Sequence, residues 1–137
     1  MTDTLQPDAH PTAQPAIRVT AMPKDANSNG DIFGGWLMSL MDMGGGLVAA
    51  RHAKGRVATV AVTGMQFLAP VHIGDEVSVF GEVARIGRTS MTVAIEAWRR
   101  DRDGEVTSKV TEAQFTFVAI DDAGRPRPLV QEGSISG

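Results

Sequence analysis

The chain has 137 residues, enough for one domain with a real core and too few for two of ordinary size. Apolar residues make up 42% and charged residues 21%, with a formal charge of -3. That describes a globular body without the broad basic field nucleic-acid binding relies on, while leaving room for a local basic pocket for one phosphorylated ligand. Cysteine is absent, which excludes disulfides, thiol nucleophiles and thiolate-bound metals.

The first 15 residues carry Pro7, Pro11 and Pro15 among small and polar neighbours and are expected to form a disordered tail. An ordered domain should then run over 16–128, with a flexible tail over 129–137; the stretch from Gly124, G-R-P-R-P-L-V, already has tail character. The start, M-T-D-T-L-Q-P, lacks the basic and apolar regions of a signal peptide, so a cytoplasmic location is expected. Residues 17–22 predict a short strand. Residues 24–31, with Asn27, Asn29 and Gly30, have turn chemistry, and Gly34 and Gly35 stand where a helix should begin. Residues 35–54 predict that helix, apolar nearly all round and therefore expected to be buried. Its run from Trp36 to Ala50 is broken by Ser39, Asp42 and glycines and falls short of the ~20 residues of a membrane span. From residue 56 the period changes to two, and turn residues near Pro70, Gly87 and Gly104 divide the rest into four strands. One helix and about five strands, mostly consecutive and so antiparallel, make an α+β fold.

Asp42 is the conspicuous residue of the helix. At 100° per residue it shares a face with Gly35, Met38, Ser39, Gly45, Gly46, Ala49 and Ala53. An aspartate in a helix is ordinarily solvated, but the flanks Leu40, Met41 and Met43 oppose that, and a carboxylate among apolar groups is a candidate for acid and base chemistry. The run Gly44, Gly45, Gly46 weakens the helix by roughly 2.5 to 3 kcal/mol relative to alanine. Close approach of another element, or room for a ligand, would offset that. Other candidates are weaker. There is no G-x-S-x-G, His52 ends the helix where a cation suits the dipole, and His72 lies in a turn expected to be exposed. Asp75 and Glu76 read as a solvated turn, and no metal-ligand spacing occurs, so no metal is expected.

The segment A-M-P-K-D-A-N-S-N-G-D-I-F-G-G-W-L-M-S-L-M-D-M-G-G from Ala21 resembles the signature of hotdog-fold acyl-CoA thioesterases of the bacterial YciA type. So do G-R-V-A-T-V-A-V from Gly55, F-L-A-P-V-H-I-G-D from Phe67, G-R-T-S from Gly87 and A-Q-F-T-F-V-A-I-D from Ala113. The resemblance spans about residues 16–128. It implies a hotdog fold, a long central helix wrapped by a curved antiparallel sheet, with dimers as the minimum active unit and hexamers as the common assembly. It also implies hydrolysis of acyl-CoA to a carboxylic acid and coenzyme A, with no cofactor. Carried over, Asp42 is the catalytic carboxylate, Asn27, Asp31, Gly34 and Gly35 of a second subunit form the facing wall, and Gly87, Arg88, Thr89 and Ser90 contact coenzyme A. Some branches have G-N-x-H-G-G where this chain has G-D-I-F-G-G, so no role of that Asn or His is carried to Asp31 or Phe33.

Chemically, Asp42 could serve as general base on water or attack the thioester directly. The helix N-terminus offers unpaired N–H groups to the developing oxyanion. The alternatives are a thioesterase acting on acyl carrier protein and a non-catalytic acyl-CoA-binding protein. A hotdog dehydratase would need a catalytic His at the place of Asp42.

Overall fold

Residues 10–129 are described by the computed structural model. A strand β1 (Ile17–Thr20) leads through a 3-10 turn (Pro23–Asp25) into helix α1 (Gly34–Ala53), and four long strands follow: β2 (Val57–Phe67), β3 (Glu76–Ile86), β4 (Ser90–Arg100) and β5 (Thr107–Ala119). All pairings are antiparallel, in the order β1-β3-β4-β5-β2. Chain order thus gives the β3-β4-β5 meander but not the edges. β2 lies beyond β5, and β1 beside β3, because the helix carries the chain across the sheet between them.

The helix ends at Lys54, left-handed at φ 57, whose N–H donates to the Ala50 carbonyl, with Arg51 and His52 in the last turn where cations suit the dipole. Its inner side packs on alternate residues of the strands: Val77 and Val79 of β3, Met91, Val93 and Ile95 of β4, and Phe115 and Phe117 of β5. Phe115 and Phe117, two apart on one strand and hence on one face, lie nearly parallel with ring centroids 6.2 Å apart. Two glycines set the closeness of this packing. A side chain at Gly44 would meet Val79 Cγ1 at 2.8 Å, and one at Gly45 would collide with Ile95 Cδ1.

Three expectations are corrected. First, the helix is not buried all round within one chain. Met38, Met43 and Leu47 are exposed, the last two by about half (52% and 47%). Second, of the tail expected over 1–15, which offers few apolar residues with which to dock, the described residues pack against the sheet. Residues 10–15 lie on the outer face of the sheet, where the His10 ring stands edge-on to Phe80 and Trp98 at centroid distances of 5.3 and 5.1 Å; residues 1–9 lie outside the described residues. Third, tail character does not begin at Gly124. Asp121 accepts the N–H groups of Ala123 and Arg125, Arg127 donates to the carbonyls of Ala53 and Ile120, and Leu129 is buried; the expected flexible tail beyond it lies outside the described residues.

Candidate active site

Asp42 sits half-buried at the middle of α1, on the boundary between the inner side and the open one. Its Oδ1 accepts a hydrogen bond of 2.6 Å from the hydroxyl of Thr59 on β2. Thr59 was not legible as a site residue. It alternates with valines like any strand threonine, and nothing local marks the contact across 17 positions. Around the carboxylate, Gly35, Met38 and Ser39 are exposed while Gly45, Ala49 and Ala53 are buried, so the face derived from helical geometry is open toward the helix start and closed toward its end. Of the three consecutive glycines, Gly46 is the open one, since a methyl there would touch only Phe117 at an ordinary 3.8 Å.

Asn27, Asp31, Gly34 and Gly35 lie in the loop before α1 and in its first turn. Asn27 shapes the loop: its Oδ1 accepts the N–H groups of Asn29 and Asp31, its own N–H donates to the Asp31 carbonyl, and Gly30 turns with φ +88. The loop is pinned further by Ile32 N–H to the Val71 carbonyl and Phe33 N–H to the Asp25 carbonyl. Phe33 occupies the N-cap without a capping side chain, and the carbonyls that pair with the first turn begin with Phe33, which accepts from Trp36 and Leu37. Among the described residues, the N–H groups of Gly34 and Gly35 therefore have no carbonyl to bond. Together with the positive end of the helix dipole they suit a developing oxyanion. Eight residues at 1.5 Å each put Gly34 about 12 Å along the axis from Asp42. One carbonyl group cannot reach both within a single chain.

Gly87, Arg88, Thr89 and Ser90 form the β3-β4 turn, closed by Gly87 N–H to the Ser90 carbonyl, with Arg88 exposed. The Arg88 carbonyl accepts from Leu129, Ile120 donates to the Arg56 carbonyl, and Arg127 caps the end of α1. This brings Arg56 and Arg127, neither of them singled out in the sequence, to the same end of the molecule. Asp75, expected to be solvated, is instead buried; it accepts the His72 N–H at 2.9 Å and faces Arg99 at 3.5 Å, tying down the turn that pairs with Asp31. His72 is exposed, as expected. Among the described residues no group of His, Asp and Glu is placed to hold a metal, and no helix is long and apolar enough to cross a membrane.

The sequence profile of the thioesterase superfamily matches residues 29–106. The acyl-CoA thioester hydrolase YciA of Salmonella typhimurium is 47% identical over 129 residues, covering 92% of this chain and 97% of that protein. A Zymomonas mobilis protein described as an uncharacterized acyl-CoA thioester hydrolase is 52% identical over 116 residues, 85% of this chain and 78% of the relative. Among solved structures, a hexameric thioesterase from Yersinia pestis is similar at a TM-score of 0.85 and 47% identity, over 89% of this chain and 100% of that one. With a profile spanning more than half its length and relatives near half-identical over most of it, the chain belongs to the thioesterase superfamily, and its sheet-wrapped helix is the hotdog fold.

Proposed function

We propose that the protein hydrolyses acyl-CoA thioesters to a carboxylic acid and coenzyme A, in the cytoplasm and without a cofactor, at sites each shared by two copies of the chain. The observation that carries this reading is the Asp42 carboxylate fixed by Thr59 on the open side of a glycine-rich helix. The Thr59 hydroxyl occupies Oδ1, leaving Oδ2 for a proton. Acting as general base, Asp42 takes a proton from water while the water oxygen bonds to the thioester carbon. The oxyanion accepts from the Gly34 and Gly35 N–H groups of the second copy. Collapse breaks the carbon–sulfur bond, and the leaving thiolate takes the proton from Asp42. Direct attack by Asp42 would instead give a mixed anhydride that water cleaves. A single turnover in ¹⁸O-labelled water separates the two, because only the anhydride route can leave label in Asp42. Arg88, with Thr89 and Ser90 beside it and Gly87 turning the chain, is assigned to coenzyme A, the guanidinium to phosphate. Hexamers of the Yersinia pestis type, built from such dimers, are the proposed assembly.

The test is thiol release from a panel of acyl-CoA esters by the parent protein and by Asp42→Asn. Turnover should fall at least ~10²-fold in a folded variant. Near-parental hydrolysis would remove Asp42 from the mechanism, and release from acyl carrier protein alone would move the substrate class.

A further inference from the structure

The segment after β5, D-D-A-G-R-P-R-P-L, turns at Gly124 with φ +82 and runs back antiparallel to the strand end it has left, with Pro126 opposite Ile120. Pro126 and Pro128 have no N–H and favour extended backbone, so the alternate residues Arg127 and Leu129 supply the donors. The Arg127 N–H donates to the Ala119 carbonyl and the Leu129 N–H to the Arg88 carbonyl, both at 2.9 Å. Leu129 is buried, which seats this strap against the core. The Arg127 side chain crosses to the helix: Nη2 donates to the Ala53 carbonyl at 2.9 Å, and Nε to the Ile120 carbonyl at 3.2 Å. Ala53 ends α1, so its carbonyl lies at the negative end of the dipole, where a cation is favoured. Gly55 makes room for the guanidinium. Its backbone is not left-handed, yet a side chain there would stand 2.5 Å from Arg127 Nη2.

We propose that Arg127 is a positioning residue for coenzyme A: through the strap it holds the turn 87–90 that presents Arg88. This rests on the thioesterase reading, in which Arg88 meets phosphate. The turn is fixed from outside at two carbonyls, that of Thr89 by the Ala119 N–H and that of Arg88 by the Leu129 N–H. The first bond belongs to the end of β5. The second lasts only while the strap stays folded back, and Arg127 is what joins the strap to the end of α1. Its effect on the ligand therefore passes through the backbone of Arg88. A turn held in place loses less freedom when its side chain binds, and so binds more tightly.

The experiment compares the parent, Arg127→Met and Gly55→Ala on octanoyl-CoA and on S-octanoyl-N-acetylcysteamine, a truncated thioester without phosphates. Arg127→Met should raise KM for octanoyl-CoA ~10-fold, about the worth of one charge-assisted hydrogen bond, with kcat near parental and kcat/KM for the truncated ester kept. Gly55→Ala should shift the same ratio in the same direction while keeping the fold, because only the flexible end of Arg127 must yield to its methyl. A merely structural role would lower both substrates together and leave the ratio of their kcat/KM values unchanged. A parental ratio in Arg127→Met overturns the assignment and leaves the hydrolase reading intact; if that variant does not fold, the ratio in Gly55→Ala decides by the same criterion. Thiol release from neither ester by the parent would overturn the hydrolase reading, and the assignment with it.

Discussion

Replacing Gly46 with alanine would add a methyl that only touches Phe117, at 3.8 Å, so the helix should gain up to ~1 kcal/mol from the better helix former. At Gly44 the same methyl would meet the branched, stiff Val79 at 2.8 Å, and the helix or β3 must shift, at a cost of about 1 to 3 kcal/mol. Gly46→Ala is therefore expected to hold or raise the thermal midpoint while impairing hydrolysis, because Gly46 lies on the Asp42 side. Gly44→Ala should melt lower with activity per folded molecule largely kept. Activity and melting measured on both variants decide it: a Gly46→Ala protein that is fully active and more stable would show that this face is not substrate space. Helical geometry alone separated these two glycines, since 40° and 160° from Asp42 follow from sequence position. It could not separate Gly45, which lies 60° from Asp42 and yet packs hard against Ile95, because the direction from which the sheet approaches is not written in the helix.

The loop before the helix is an element whose shape depends on a carboxylate outside the reaction. Asp25 is buried, and the Met22 N–H at 3.0 Å, with Lys24 beside it, holds its carboxyl below the usual carboxylate range. A folded-state value below the unfolded one contributes stability above the unfolded value and loses it as pH falls through the folded one. Asp25→Asn should thus melt below the parent at pH 7, with the gap closing below about pH 4. Melting curves from pH 7 to pH 3 check this, and a gap that widens on acidification refutes it. The N-terminal strap makes the opposite case to its composition. Deleting residues 1–14 would strip His10 from Phe80 and Trp98, which are both buried although they point away from the core. A loss of ~1 kcal/mol, about 4 °C, is expected, with Trp98 emission moving to longer wavelength. An unchanged midpoint and spectrum would return the segment to the role of a tail.

On the scale of the molecule, β2 is an edge strand of 11 residues with Val60 and Val62 exposed, and beside it the open side of α1 shows Met43 and Leu47. A long apolar edge of this kind is a template for pairing, and the proposed shared site requires the Asp42 of one copy to meet the helix start of the other. Asp42→Asn and Gly35→Val chains, each inactive alone, should regain part of the activity when mixed and allowed to exchange. Full activity from a species that stays monomeric in sedimentation would refute the shared site.

By itself the sequence determined the elements and the central carboxylate. Apolar period, turn residues and glycine placement are local, so the long helix, expected over 35–54 and found as Gly34–Ala53, and the five strands could be read from neighbours a few positions apart. Asp42 stood out for the same reason, as a charge among apolar flanks. What only the tertiary structure decided are contacts between distant positions: Thr59 on Asp42, Phe67 over Gly34, Arg127 at the end of α1, and the strap on Phe80 and Trp98. The physical reason is that each depends on sheet order and helix rotation. Burial over the whole chain sets these, and no local pattern encodes them.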